Sequence, residues 1–157
     1  MISETMFNPL IYTYIAIGLG IVISLFLSET LGITAGGIIV PGYIGLYLNN
    51  YEAVFVTFAL SIITFLIVKL FSELILIYGR RRLVLCILIG FFLGALIRNI
   101  YTSSSGDILY IGFIIPGLIA SWIDRQGGVR TISVILIVAS IVHLFLLIIW
   151  KFGLINV

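Results

Sequence analysis

The stretch GIIVPGYIG at residues 37–45 sets Pro-Gly in the middle of an apolar run, and GFIIPGLIA at residues 112–120 does the same. Proline lacks a backbone N–H and clashes with the carbonyl four residues back inside a helix, and the glycine after it adds backbone freedom. Sliding the sequence by 75 residues superposes the two stretches. Gly37, Ile39, Pro41, Gly42 and Ile44 fall on Gly112, Ile114, Pro116, Gly117 and Ile119, while Gly45 meets Ala120 and Tyr47 meets Trp122. Two similar segments interrupted in the same way point to a chain built as two related halves.

The 157 residues are 62% hydrophobic and 9% charged, against about 25% charged in an ordinary soluble domain. Mean hydropathy is +1.36. Runs 10–27 and 131–150 carry no charge and match the roughly 20 residues needed to cross a bilayer core. The expected class is an all-α integral membrane protein. Six apolar segments lie near 10–27, 31–48, 53–77, 83–97, 108–123 and 131–150, with short polar links such as YTSSSGD at 101–107. No link is long enough for a soluble catalytic domain, so residues 1–157 read as one membrane domain with repeat halves near 10–77 and 85–152.

A 3+3 repeat has an odd number of crossings per half. If all six segments span, the second half enters from the opposite side, as in the inverted repeats of many transporters. If the two Pro-Gly segments are re-entrant, four helices span and the halves are parallel. Arginine placement favours six. In that arrangement Arg80, Arg81, Arg82, Arg125 and Arg130 share one side and Arg98 and Lys151 flank the other, which places both termini outside the cytoplasm by the positive-inside rule.

The amino-terminal residues 1–9 hold no Lys or Arg, and SETLG after Leu27 is unlike a cleavage site, so the first segment is expected to remain as a membrane helix. Cys86, the single cysteine, reads as a packing residue. A net charge of +2 is too small to suggest nucleic acid as a partner. No phosphate-binding GxxxxGK[ST], HExxH or CxxC pattern occurs, and the six acidic residues are spread thinly. No catalytic residue, resident cofactor or metal site is expected, which leaves a channel, a transporter or an assembly subunit.

Backbone groups freed by a break are tolerated in a membrane only where protein or a watery cavity satisfies them. A half-helix starting at such a break points its positive dipole end into the membrane. Gly37, Pro41, Gly42, Pro116 and Gly117 are therefore candidates for a polar path, with tight packing kinks as the plainer alternative. Glu29, Arg80, Arg81, Arg82, Arg98, Arg125 and Arg130 are candidates for an electrostatic path or a docking surface; as interfacial anchors they would need no such role. Lys69 and Glu73, one turn apart, can pair, or Lys69 can snorkel to the interface. His143 reads as a hydrogen-bonded core histidine rather than a proton relay.

The run ETLGITAGGIIVPGYIGLYL (29–48), YGRRR (78–82), GFIIPGLIA (112–120) and the DRQGG that follows resemble the poly-γ-glutamate biosynthesis protein family PgsC/CapC across nearly the whole chain. Ala35 departs from a proline common in that family. The resemblance implies a multi-pass protein of the bacterial plasma membrane that works with an ATP-dependent amide ligase, PgsB/CapB, and a largely extracellular partner, PgsA/CapA. Together they make and export poly-γ-glutamate, as a capsule linked to virulence or as a released polyanion. ATP and Mg²⁺ would belong to the ligase, and no active site carries over to this chain. A polyanion crossing the bilayer needs a route of positive potential with weak, repeated binding. Pro41-Gly42 and Pro116-Gly117 are expected to shape that route, with Arg80–Arg82, Arg125 and Arg130 at its cytoplasmic mouth. A non-conducting scaffold that anchors the ligase, a small-solute transporter, and a route formed in a homo-oligomer between several copies remain open.

Overall fold

The computed structural model describes residues 9–32, 36–74, 79–101, 112 and 114–151. The expected loop at 101–107 beyond Tyr101, the amino-terminal residues 1–8 and Ala35 lie outside the described residues, as does the side chain of Glu73, and with it the Lys69–Glu73 pair.

Every described element is helical: α1 (Pro9–Leu31), α2 (Val40–Leu46), α3 (Tyr51–Leu74), α4 (Arg80–Tyr101), α5 (Ile115–Gln126) and α6 (Gly128–Lys151). Four of them, α1, α3, α4 and α6, are long and apolar enough to cross a membrane, over Thr13–Thr30, Tyr51–Ser72, Arg80–Asn99 and Gly128–Ile149. At 1.5 Å per residue these four helices are each about 33–36 Å long. Their outer faces carry exposed Phe26, Phe55, Leu70, Leu88, Phe92 and Leu144, a surface that hydrocarbon covers at no cost.

The short helices α2 and α5 sit inside this wall. Val40, Pro41, Gly42, Ile44 and Gly45 of α2 are buried, as are Ile115, Pro116, Gly117, Ile119 and Ala120 of α5. One core cluster joins Val40 and Ile44 to Ile115 and Ile119, and to Ala53 of α3 and Ile135 of α6. Helix α2 packs on α1 and α6, whereas α5 packs on α4 and α3.

The prolines differ from the sequence expectation in one physical respect. They begin helices instead of interrupting them. Each lies in the first turn, where its missing N–H would have no intrahelical partner anyway. Ile39 and Ile114 precede the two helices with nearly the same backbone, φ −92°, ψ −30° and φ −93°, ψ −28°. The first bonds are equivalent too: Tyr43 N–H donates to Ile39 O at 3.3 Å and Leu118 N–H to Ile114 O at 3.0 Å. Before α2 the chain is kept non-helical by Gly36 and Gly37 at φ 66° and 112°, a region that side chains with a Cβ avoid. Helices α2 and α5, of 7 and 12 residues, are thus about 10 and 18 Å long, too short to span alone.

Candidate functional site: paired helix starts and an arginine cavity

Each short helix starts against the midpoint of a long one. A Cβ at Gly20, halfway along α1, would lie 2.5 Å from Gly42 Cα, and one at Gly90, halfway along α4, 2.8 Å from Gly117 Cα. Reciprocally, a Cβ at Gly42 would meet Ala16 O at 2.9 Å, and one at Gly117 would meet Cys86 O at 2.6 Å. Glycine on both sides lets the backbones touch, as in other small-residue membrane crossings. In this way the amino-terminal ends of α2 and α5, with their partial positive charge, are held deep between the long helices.

The directions of the chains also correspond. Pro116 meets Gly90, Gly117 meets Cys86 and Ile87, and Asp124 meets Arg82, so α5 runs antiparallel to α4. Pro41 likewise meets Gly20 while Gly42 meets Ala16 and Ile17. Along α6 the chain from Gly36 to Gly45 runs in the same direction, with Gly36 against Ile135 and Thr131 and Gly45 against Ala139 and Val142.

The end of α2 explains His143. Gly45 is one of the last residues of α2, so its carbonyl has no partner within the helix. His143 Nδ1 lies 3.0 Å from that oxygen and donates to it, which makes the histidine a cap supplied by α6. This agrees with the reading of His143 as a core hydrogen-bonding residue. On α3, Thr57, Ser61 and Thr64 form a fully buried hydroxyl stripe at helical spacing, each donating to a carbonyl of its own helix at 2.6–2.7 Å.

The sequence candidates separate into groups. Pro41, Gly42, Pro116 and Gly117 are buried at the two helix starts; Gly37, half-buried, lies beside Trp122, where a Cβ would be 3.5 Å from the indole Nε1. Glu29 is exposed near the end of α1, Arg80 and Arg81 at the start of α4, Arg130 at the start of α6, and Arg98 near the far end of α4. Arg98 is about 24 Å along α4 from Arg82 and does not join that cluster.

Arg82 and Arg125 come together at one end of the bundle. A cavity of about 400 Å³ is lined by Gly79, Arg82, Leu83, Cys86, Ser121, Asp124 and Arg125. Arg82 Nη2 lies 2.6 Å from Asp124 Oδ1, with side-chain exposures of 27% and 19%, so the pair is partly withdrawn from water. Arg82 Nε is buried and finds no hydrogen-bond partner among the described residues. The Arg125 guanidinium stands 5.4 Å from the Trp122 ring centroid, a cation–π distance. Thr131 Oγ1 donates to Gly127 O at 2.8 Å and Trp122 O at 3.3 Å, tying α6 to this corner. Asp124 was not among the sequence candidates. It follows Ile123 directly and reads as turn punctuation until α5 is seen to continue to Gln126. Among the described residues no three His, Cys, Asp or Glu side chains converge as a metal site would require.

These features define a helical membrane protein with two internal helix starts and a basic cavity at one end. The chain matches the capsule biosynthesis CapC family over residues 19–132, and it belongs to that family. It is 36% identical over 118 residues to the PGA biosynthesis protein CapC of Bacillus subtilis (strain 168), covering 73% of this chain and 79% of that protein. It is also 36% identical over 131 residues to the capsule biosynthesis protein CapC of Bacillus anthracis, covering 81% and 88%. No solved structure matches.

Proposed function

We propose that this chain is the membrane subunit of a poly-γ-glutamate synthesis and export complex, and that it forms part of the route by which the polyanion crosses the bilayer. It is non-catalytic, with ATP and Mg²⁺ handled by a PgsB/CapB-like ligase and the emerging polymer met by a PgsA/CapA-like partner. Each product residue carries one free α-carboxylate, which hydrocarbon excludes strongly. The observation that carries the reading is the pair of glycine crossings, Gly20–Gly42 and Gly90–Gly117, which hold two helix amino-termini deep in the bundle. Ile39 and Ile114, immediately before those helices, are 48% and 53% exposed, so each helix start has an accessible neighbour at which a probe can be placed.

The matched crossings and matched chain directions support a 3+3 inverted repeat in which the segments that contain α2 and α5 each cross once. Arg80, Arg81, Arg82, Arg125 and Arg130 then face the cytoplasm of a bacterial plasma membrane, with both termini outside.

The test is a sealed-vesicle assay containing the ligase, the outer partner and this chain. Synthesis and translocation are measured separately for wild type and for an Ile39→Trp, Ile114→Trp variant that assembles. Synthesis retained with translocation reduced is expected. Wild-type rates of both refute the route. A scaffold role is the second reading, favoured by the exposed Arg80 and Arg81 at the start of α4; it predicts that replacing them releases the ligase while assembled complexes still transport.

A further inference from the structure

The cavity between α4 and α5 has a composition that helix packing does not require. The two crossings are related by 70 residues on the long helices (Gly20 and Gly90) and by 75 on the short ones (Gly42 and Gly117). Those offsets place Tyr12, Ala16, Leu46, Asn49 and Asn50 where the cavity has Arg82, Cys86, Ser121, Asp124 and Arg125. The same crossing is therefore built in the other half with no charged residue at these positions. Two guanidiniums and one carboxylate at a single end are therefore more than the crossing itself needs.

Charge and hydrogen bonding identify what fits. Arg82 and Arg125 outweigh Asp124 by one positive charge, so the cavity suits a single anionic group. A guanidinium binds a carboxylate best through two parallel N–H donors. Arg82 meets Asp124 through Nη2 and leaves its buried Nε without a partner among the described residues. The Ser121 hydroxyl also lines the space. A volume of about 400 Å³ lies within the usual range for small-molecule sites, roughly 300–1,000 Å³.

We infer that this cavity binds one α-carboxylate of a γ-linked glutamate unit, and that Asp124 is an exchangeable stand-in which the incoming carboxylate displaces from Arg82. Helices α4 and α5 thereby form a latch at the bundle end, occupied by the protein's own carboxylate until substrate arrives. The inference rests on the proposed poly-γ-glutamate function and adds the particular contact at which the chain is first held. The shared ligand chemistry is the glutamate α-carboxylate, from either the polymer or the free amino acid.

The test uses the purified full chain in lipid nanodiscs, titrated with a γ-linked glutamate hexamer, the same hexamer with its α-carboxylates esterified, and free L-glutamate. The hexamer is expected to bind and its ester is not. Asp124→Asn removes the competitor and is expected to tighten hexamer binding at least threefold, whereas Arg82→Gln weakens it at least tenfold. A purely structural ion pair predicts no tightening for Asp124→Asn, and unchanged or weaker binding in that folded variant overturns the latch. If Asp124→Asn does not fold, Arg125→Gln, which leaves the ion pair in place, decides: weaker binding supports the site and unchanged binding removes it. Free glutamate displacing the hexamer at similar concentration assigns the site to the monomer, and weak displacement assigns it to the polymer. Variants that bind the hexamer normally but shed the ligase overturn the inference in favour of protein docking. Unchanged hexamer binding in all folded variants, with Ile39→Trp, Ile114→Trp still blocking translocation, removes the latch alone. Wild-type translocation in that double variant removes the route while the binding result stands.

Discussion

Gly117→Ala adds one methyl group at the tightest point between α4 and α5. Its Cβ would lie 2.6 Å from both Cys86 O and Ile87 Cα, which are backbone atoms and cannot swing aside as a side chain can. Carbon–carbon contact is comfortable near about 3.5 Å, so the helices must part by roughly 1 Å. Overpacking of this kind costs typically about 1–3 kcal/mol. The intrinsic preference of helices for Ala over Gly returns at most about 1 kcal/mol. Gly18→Ala is the internal control, because a Cβ there meets nothing within 4 Å and only the propensity gain remains. Thermal unfolding of the two purified variants in the same detergent is expected to move in opposite directions, with Gly117→Ala melting below wild type and Gly18→Ala at or above it. Equal melting temperatures for the two variants would refute the argument that backbone contact at the helix start holds α5 in place.

Gly36→Ala combines a positive φ of 66° with a Cβ driven into the Ile135 side chain, and is expected to destabilise by about 1–2 kcal/mol in the same melting assay. His143→Phe keeps a ring but strands the Gly45 carbonyl; the expected loss is about 1 kcal/mol, with His143→Gln recovering part of it. Thr64→Val removes a hydroxyl that donates to Leu60 O of its own helix, so the melting point should shift by less than the equivalent of about 1 kcal/mol. Arg80→Gln with Arg81→Gln alters two exposed side chains and should change stability by no more than about 0.5 kcal/mol; pull-down of the proposed ligase partner at several salt concentrations then tests the scaffold reading without interference from unfolding.

The long helices were plain in the sequence because lipid imposes a simple rule, a charge-poor run of sufficient length. Runs 10–27 and 131–150 became the cores of α1 and α6. The Pro-Gly pairs were equally visible, but their effect depends on what precedes them. Gly36 and Gly37 at positive φ stop the chain from being helical before Pro41, so a predicted break became a start. The role of His143 was legible only in outline, since its partner is a carbonyl freed by the early end of α2 at Leu46. Asp124 was missed for a related reason. Its partner Arg82 lies on another helix, and only the antiparallel crossing at Gly90 and Gly117 brings the two ends together.

The packing contacts also decide where the proposed route can be probed. Leucine at Gly42 or Gly117 would prise apart backbones already in contact, and so would report on assembly instead of transport. Ile39 and Ile114 are exposed beside the same helix starts and accept a probe without that damage. The most direct measurement therefore places a photoreactive amino acid at Ile39 or Ile114, with exposed Tyr14 and Leu70 on the long helices as controls. Complexes synthesising radiolabelled poly-γ-glutamate in sealed vesicles are then illuminated. Labelled polymer joined to the chain from positions 39 and 114, and not from 14 or 70, is the predicted result. Export at the normal rate with no polymer captured at either helix start contradicts a route along α2 and α5.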